Sequence, residues 1–140
     1  MGDSAKKVLS ERDICSKYIT PALVAGGKWD LMSQIREEVY FTKGRVLVRG
    51  KKSSRGEAKR ADYLLSYKPG IRLALIEAKD NNHPVGGGMQ QGLDYGDTLD
   101  VPFIFSSNGD AFLLDVSRGP LGVRVEFGRR CNSVTGIRMS

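Results

Sequence analysis

An aspartate and a Glu-x-Lys triplet are the residues of this sequence best suited to chemistry. Asp62 lies at the start of one predicted strand, and Glu77 and Lys79 end the next predicted strand, which covers residues 72–79. Because side chains alternate along a strand, Glu77 and Lys79 point to one face. The Lys-Pro-Gly turn at residues 68–70 makes the two strands an antiparallel pair. The nearly equal distances from that turn predict that Asp62 lies beside Glu77.

Two neighbouring carboxylates repel each other unless a cation lies between them. Mg²⁺ suits such a pair because it takes hard oxygen ligands, and the carbonyl of Ala78 on the same strand end offers another oxygen. The ammonium of Lys79 could orient or deprotonate an attacking water and stabilise charge on a phosphate. This set suits phosphodiester hydrolysis. The non-catalytic interpretation is a cross-strand salt bridge between Asp62 and Lys79.

The excess positive charge of the chain is concentrated in one segment. The 140 residues contain 22 Lys plus Arg and 16 Asp plus Glu, a net charge of +6, yet residues 43–60 alone contain eight basic residues and one acid. Glycines and serines within this segment predict a flexible cationic loop, which is suited to phosphate contacts because binding releases counterions. A solvated loop is the alternative. The DNA-binding candidates are Arg49, Lys51, Lys52, Arg55, Lys59 and Arg60.

Length and composition limit the class of protein. A chain of 140 residues predicts a single domain, with a core over about 10–127 and a frayed tail over 128–140. No run of apolar residues is long enough to span a membrane. Cys15, Cys131 and one histidine are too few for a disulfide scaffold or a zinc site, so both thiols are expected to be reduced.

The remaining elements follow from local patterns. Ser10 begins a predicted helix with a capping-box pattern in which Asp13 replaces the usual Glu or Gln, Pro21 kinks or restarts it, and Gly26-Gly27 ends it. Asn108-Gly109 predicts a hairpin turn. The other predicted elements are a hairpin (38–41 with 45–49), a strand (62–67), a loop (81–88), a helix (89–99), two strands (101–105 and 111–116) and an edge strand (123–127).

Several stretches together resemble a known family. Asp62 with Glu77-Ala78-Lys79 resembles the metal-binding signature of the PD-(D/E)XK nuclease superfamily. More narrowly, the chain resembles the N-terminal nuclease domain of type I restriction enzyme R subunits (HsdR) over residues 10 to 116. The matching stretches are Ser10-Glu11-Arg12-Asp13, Lys59 to Leu65, Ile76 to Lys79, Gln90 to Tyr95, and Phe105 to Gly109. One departure is Ala61, which replaces the proline of the superfamily motif.

The resemblance implies an α/β (α+β) fold with a mixed central β-sheet flanked by helices, the restriction-endonuclease-like fold. It implies that Asp62, Glu77 and the Ala78 carbonyl bind Mg²⁺ and that Lys79 assists the water. Gln91 and Tyr95 would form the Gln-x-x-x-Tyr motif of such nucleases, and their i, i+4 spacing places both on one helical face. Glu11 is a further candidate metal ligand from the first helix.

The implied activity is that of a type I site-specific deoxyribonuclease acting on double-stranded DNA in the cytoplasm. ATP and S-adenosylmethionine would belong to a motor domain and to methylation and specificity subunits of a full complex, not to this chain. Two alternatives stay open: a catalytically inactive nucleic-acid-binding or assembly module of the same fold, and another PD-(D/E)XK nuclease of the repair or methyl-directed kind. His83 is a candidate for a DNA contact from its loop.

Overall fold

The computed structural model describes residues 3–42, 45–46, 58–115, 123–128 and 136–139. These ranges contain eight strands: β1 (Ile35–Thr42), β2 (Arg45–Val46), β3 (Lys59–Lys68), β4 (Ile71–Ala78), β5 (Phe103–Ser107), β6 (Ala111–Asp115), β7 (Val123–Gly128) and β8 (Gly136–Met139). All eight form one sheet in the order β2-β1-β3-β4-β5-β6-β7-β8. The β4–β5 pair is parallel and the other pairs are antiparallel, so the mixed sheet implied by the resemblance is confirmed.

Helical segments flank the sheet. Four are α-helices: α1 (Asp3–Lys7), α2 (Glu11–Ile14), α3 (Thr20–Val24) and α4 (Met89–Leu99). A π-helical turn (Cys15–Ile19) joins α2 to α3, and a 3₁₀ turn (Ala25–Gly27) follows α3. No helix in the described ranges is long and apolar enough to cross a membrane.

The first long helical stretch begins where its cap predicts. The Ser10 hydroxyl accepts a hydrogen bond from the Asp13 N–H at 3.1 Å, and the Asp13 carboxylate accepts one from the Ser10 N–H at 3.3 Å. This reciprocal pair satisfies two N–H groups that have no partner inside the helix. Pro21 has no N–H, and the chain widens into the π-helical turn just before α3 restarts at Thr20. The predicted cap and interruption are therefore both confirmed.

The predicted hairpins are present within the described residues, whereas residues 47–49 and 116 of the predicted strands lie outside them. Thr42 pairs with Arg45 between β1 and β2, and Lys68 pairs with Ile71 across the turn between β3 and β4. Gly70 has a φ of +83°, a conformation that glycine adopts without steric cost. In the β5–β6 hairpin, Ser107 pairs with Phe112, so the connection is longer than the two residues Asn108-Gly109.

The β4 strand lies at the centre of the structure and is buried on both faces. Its crossover to parallel β5 runs through α4, as a parallel connection requires. Ile76 packs in a cluster with Ile14 and Ile19 of the N-terminal helices. Leu75 packs on the opposite face with Met89 and Leu99 of α4. Each face of the sheet therefore has its own helical layer.

Strands β1 and β3 both exchange faces at the level of Glu38 and Asp62. In β1, Ile35 packs with the N-terminal helices, whereas Val39, four residues later, packs on the α4 face. In β3, Tyr63 packs with the N-terminal helices and Ala61 packs on the α4 face. A regular strand would keep such positions on one face, because its side-chain period is two. The pairing is interrupted between Glu37↔Tyr63 and Val39↔Ala61, where Glu38 adopts a φ of +51°.

Two predicted strand boundaries are wrong. Asp62 does not start its strand, because β3 begins at Lys59 and its first residues pair with Phe41 and Tyr40 of β1. Glu77 lies in β4, but Lys79 lies just past its end at Ala78. The backbone N–H of Lys79 instead donates to the Ser107 carbonyl at 2.9 Å.

The C-terminal prediction needs correction as well. Residues 136–139, predicted to belong to a frayed tail, form β8 and pair with β7. The predicted edge strand 123–127 is therefore an interior strand, because β8 supplies partners for backbone groups that an edge leaves unpaired. Residues 129–135 and 140 of the predicted tail lie outside the described residues.

Helix α1 was not predicted, and one lysine attaches it to the β5–β6 hairpin. Lys6 is 6% exposed, and its ammonium donates to the Gly109 carbonyl at 2.8 Å and to the Asp110 carboxylate at 2.6 Å. The same Nζ lies 4.3 Å from the ring centroid of Tyr18. The N-terminal residues are polar and have no apolar periodicity, so they predict no helix. The buried contacts of Lys6 that hold α1 in place leave no periodic pattern in the sequence.

We expect Lys6→Ala to lower the free energy of unfolding by about 2 kcal/mol, because hydrogen bonds from a charged donor are lost at a buried position. Lys7→Ala is the matched control: Lys7 is the exposed neighbour in the same helix, and its replacement should change stability by less than about 0.5 kcal/mol. Urea denaturation measures both values. Equal effects of the two substitutions would contradict the importance of the Lys6 contacts.

Candidate active site

Two carboxylates replace the backbone hydrogen bonds where β3 separates from β4. Regular pairing of these strands ends at Tyr63↔Ile76. Beyond it, the Asp62 carboxylate accepts a hydrogen bond from the Ala78 N–H at 2.8 Å, and the Glu77 carboxylate accepts one from the Asp62 N–H at 3.3 Å. The predicted proximity of Asp62 and Glu77 is therefore confirmed. Each carboxylate is held in place by a backbone amide of the other's strand.

Glycines allow α4 to approach the acidic pair closely. A Cβ atom on Gly88 would lie 3.0 Å from the Cβ of Glu77, and one on Gly92 would lie 2.8 Å from Ile104 Cγ2 and 3.5 Å from Glu77 Cγ. Larger residues at either position would push the helix away from the sheet. The Glu77 side chain is therefore enclosed by the start of α4, and Glu77 is only 3% exposed.

Burial and the neighbouring carboxylate of Asp62 both favour the protonated form of Glu77. Burial, followed by the nearby charge of Asp62, raises the pKa of Glu77 to about 9. Without a cation, Glu77 therefore holds a proton at neutral pH. A buried acid with a strongly raised pKa beside a second carboxyl is typical of a functional site.

Lys79 and Glu11 lie near the pair. Partial burial and then the charge of Asp62 raise the pKa of Glu11, and the charges of Lys79 and Arg60 act in the opposite direction. The side chain of Lys79 passes close to Gly87, where an added Cβ would be 3.5 Å from Lys79 Cγ. The N-terminal turn of α2 and the end of β4 therefore converge at one end of the sheet.

The donor set fits a hard divalent cation in part. Asp62 and Glu77 are buried oxygen ligands whose repulsion a cation would relieve, which is the chemistry that Mg²⁺ prefers. Within the described ranges, no three Asp, Glu, His or Cys side chains form a cluster that could hold a metal, so Glu11 does not complete such a set. The remaining ligands would then be waters, a substrate oxygen or the Ala78 carbonyl, consistent with the tendency of Mg²⁺ to retain water.

Gln91 and Tyr95 meet on α4 as their spacing predicts. The Gln91 amide donates to the Tyr95 hydroxyl at 2.6 Å, and the Tyr95 ring packs edge-on against Phe41 at 5.0 Å between centroids. The Nζ of Lys59 lies 5.9 Å from the Tyr95 centroid. No hydrogen bond or ring contact of Gln91 or Tyr95 within the described part of the chain reaches the acidic pair. Their catalytic role stays a prediction.

The predicted DNA-binding residues fall into two groups. Lys59 and Arg60 are exposed at the start of β3, and an Arg60 nitrogen lies 4.0 Å from the Asp62 carboxylate. Partial burial lowers the pKa of Arg60, but Asp62, Glu38 and Tyr40 together raise it above its usual value. The remaining four candidates lie outside the described residues: Arg49, Lys51, Lys52 and Arg55.

The loop after β4 is fixed by side-chain amides. Asn108 is 4% exposed and donates to the His83 carbonyl at 2.7 Å, while Asn81 donates to the Asn108 carbonyl at 2.9 Å. The His83 ring pairs with Asp80 at 3.0 Å and is exposed. Asn108-Gly109 therefore does more than turn the chain, because it also anchors the loop that borders the acidic pair.

Two residues next to the site, Arg12 and Glu38, were not predicted from the sequence. Arg12 of α2 lies 3.9 Å from a carboxylate oxygen of Glu38, and Arg60 lies 3.4 Å from the same Glu38 oxygen, Oε1. Arg60 was among the predicted DNA-binding residues, but Arg12 and Glu38 were not predicted, because each is a single charge outside the long basic run. Arg12 is the second residue of α2, and Glu38 lies in β1. Their spacing in the sequence matches no motif.

Comparisons with known proteins support one family. The chain is 52% identical over 105 residues to the endonuclease subunit of the type I restriction enzyme EcoAI from Escherichia coli, a match that covers 75% of this chain and 13% of that subunit. It also matches a solved fragment of an HsdR subunit of a type I restriction enzyme from Vibrio vulnificus YJ016. That match has a TM-score of 0.67 and 43% sequence identity, and it covers 85% of this chain and 23% of the other. No family model matches.

We expect Mg²⁺ to stabilise the wild-type chain and not the Glu77→Gln variant. At tenfold excess over its Kd, a ligand adds about 1.4 kcal/mol, which corresponds to a rise in Tm of about 5 °C for a chain of this size. Glutamine can still accept the Asp62 N–H but removes one anionic ligand. Thermal denaturation with and without Mg²⁺ measures the shift.

Asp94→Asn is the control for non-specific cation effects, because Asp94 is an exposed acid of α4 that accepts a hydrogen bond from Gln90. This variant should keep the wild-type shift in Tm. An undiminished shift in Glu77→Gln would show that the cation binds elsewhere.

Proposed function

Because this chain belongs to the R-subunit (HsdR) family of type I restriction enzymes and corresponds to its N-terminal domain, we propose that it is the Mg²⁺-dependent DNA endonuclease domain of such a subunit. The fold, which matches a solved HsdR fragment, is the restriction-endonuclease-like α+β fold. The chain spans only 13% of the curated relative and 23% of the solved chain, so the activity and partners of a whole R subunit are proposals here.

The acidic pair at the split between β3 and β4 is the observation that carries the proposal. Asp62 and Glu77 are 7% and 3% exposed and are held by backbone amides 2.8 and 3.3 Å away. A module that only bound DNA would gain nothing from buried carboxylates near its phosphates. Catalysis explains the cost of burying them, because a divalent cation needs anionic oxygen ligands there.

Each residue of the site has a distinct proposed task. Asp62 and Glu77 hold the cation with the Ala78 carbonyl, and Glu11 contributes through water from the start of α2. When bound, Mg²⁺ supplies Lewis-acid polarisation of a phosphate oxygen and of the attacking water. The Lys79 ammonium orients the water and stabilises negative charge that develops on the phosphate.

The helix after the site contributes through its polar face. Gln91 and Tyr95 are already joined by a 2.6 Å hydrogen bond, which fixes the direction of both polar groups before a substrate arrives. Lys59 beside the Tyr95 ring adds a positive charge on the same side. We assign these residues to the DNA backbone next to the cleaved phosphate, where a preformed geometry lowers the entropic cost of positioning.

Double-stranded DNA is the proposed substrate, held by phosphate contacts. The basic segment 43–60 and the loop 80–88 would flank the duplex on either side of the carboxylates. Contacts of this kind position DNA without reading its sequence, so sequence recognition would belong to other subunits. ATP-driven movement and S-adenosylmethionine dependence are likewise assigned to the motor domain and to the methylation and specificity subunits, and the whole complex to the cytoplasm.

We expect the chain to nick plasmid DNA in Mg²⁺ and Glu77→Ala and Lys79→Ala to reduce the cleavage rate at least about 100-fold, because each removes a group that acts on the reacting phosphate. DNA binding, measured by fluorescence anisotropy, should be retained in both variants. A plasmid nicking assay with EDTA as the metal-free control provides the rates.

Asp94→Asn should cleave like the wild type. Normal cleavage by Glu77→Ala would disprove the site assignment. Binding of DNA without Mg²⁺-dependent cleavage by the wild-type chain would favour the alternative of a binding or assembly module of the same fold.

A further inference from the structure

We propose that Glu38 is a positioning residue that holds Arg12 and Arg60 as a two-arginine clamp for a DNA phosphate beside the acidic pair. The inference rests on the proposed function and deepens it, because it names two side chains that contact the DNA backbone next to the acidic pair.

The distances define the clamp. Glu38 Oε1 lies 3.9 Å from Arg12 and 3.4 Å from Arg60, and Arg60 lies 4.0 Å from the Asp62 carboxylate. Arg12 also lies 3.9 Å from Glu37. Two guanidinium groups from different elements, α2 and β3, therefore meet at one carboxylate next to the candidate metal ligands.

The energy of the ion pairs does not explain this arrangement. The side chains of Arg12, Arg60 and Glu38 are 50%, 44% and 44% exposed. Exposed pairs at such distances each contribute about 0–1 kcal/mol, less than a left-handed conformation costs a residue other than glycine. The site retains a strained Glu38 with a φ of +51° although the ion pairs alone cannot compensate for it.

The backbone supplies the reason for the strain. Glu38 lies opposite Asp62, where the β1–β3 pairing is interrupted and both strands exchange faces. At this interruption the Asp62 N–H donates to Glu77, and the Glu38 carboxylate lies within ion-pair distance of Arg12 and Arg60. The same local distortion therefore shapes the acidic pair and aligns the clamp.

The chemistry of the clamp favours a phosphate as its ligand. Guanidinium groups donate in a fixed planar fork that matches phosphate oxygens, and both groups here are half exposed and free to turn outward. A phosphate held by them would lie next to Asp62 through Arg60. Glu38 holds both guanidinium groups next to this position before DNA arrives.

The test asks whether Glu38→Gln tightens or weakens DNA binding. It measures binding of a fluorescein-labelled duplex by the full 140-residue chain in Ca²⁺. Removing one acid from a DNA-binding surface should tighten binding if the acid only repels phosphates. If Glu38 positions the clamp, Glu38→Gln should instead weaken binding about threefold. Arg60→Gln should weaken it about tenfold and reduce the salt slope by about 1.

The decisive variant combines the substitutions. In a chain with Arg12→Gln and Arg60→Gln, a further Glu38→Gln should no longer weaken binding, because nothing remains to be positioned. Asp94→Asn is the control acid. Glu38→Gly keeps the test valid if Glu38→Gln folds poorly, because glycine relieves the positive φ and should raise Tm while weakening DNA binding to the same degree.

The possible failures can be told apart. Tighter binding by Glu38→Gln, or equal weakening with and without the two arginines, would overturn the positioning role and leave the nuclease proposal intact. Absence of duplex binding by the wild-type chain would overturn both.

Discussion

The separation of β3 from β4 is the constraint on which the candidate site depends. A sheet normally closes such a gap with backbone hydrogen bonds, since unpaired buried amides are costly. Here the carboxylates of Asp62 and Glu77 accept from the amides of Ala78 and Asp62. The fold therefore uses the same two side chains to complete its hydrogen bonding and to place two carboxyl groups side by side. Replacing either one with a side chain that cannot accept a hydrogen bond would change the backbone contacts and the chemistry together.

Close packing around this gap explains several features far apart in the sequence. Gly88 and Gly92 bring α4 against Glu77, and the Ser10 cap starts α2 where Glu11 faces the pair. The buried ammonium of Lys6 ties α1 to the β5–β6 turn, whose Asn108 in turn holds the loop after β4. These contacts thus hold α1, α2, α4 and the loop after β4 in place around the site.

Features that depend on a few neighbouring residues could be predicted from the sequence. The turn at residues 68–70 set the level of Asp62 against Glu77, the i, i+4 spacing brought Gln91 to Tyr95, and Ser10 with Asp13 marked the helix start. The sequence was insufficient where tertiary contacts decide. One positive φ at Glu38 reversed a two-residue periodicity, and the pairing of residues 136–139 with β7 depended on a distant strand. Residues 43–44 and 47–57 of the basic segment lie outside the described residues.

Because β1 and β3 exchange faces, each of these strands contributes side chains to both helical layers of the molecule. Val39 and Ala61 pack in the layer of α4, while Ile35 and Tyr63 pack in the layer of the N-terminal helices. Asp62 lies on the boundary between them. The position of its carboxylate therefore depends on the packing of both layers. Repacking of either core would thus also change the spacing of the acidic groups.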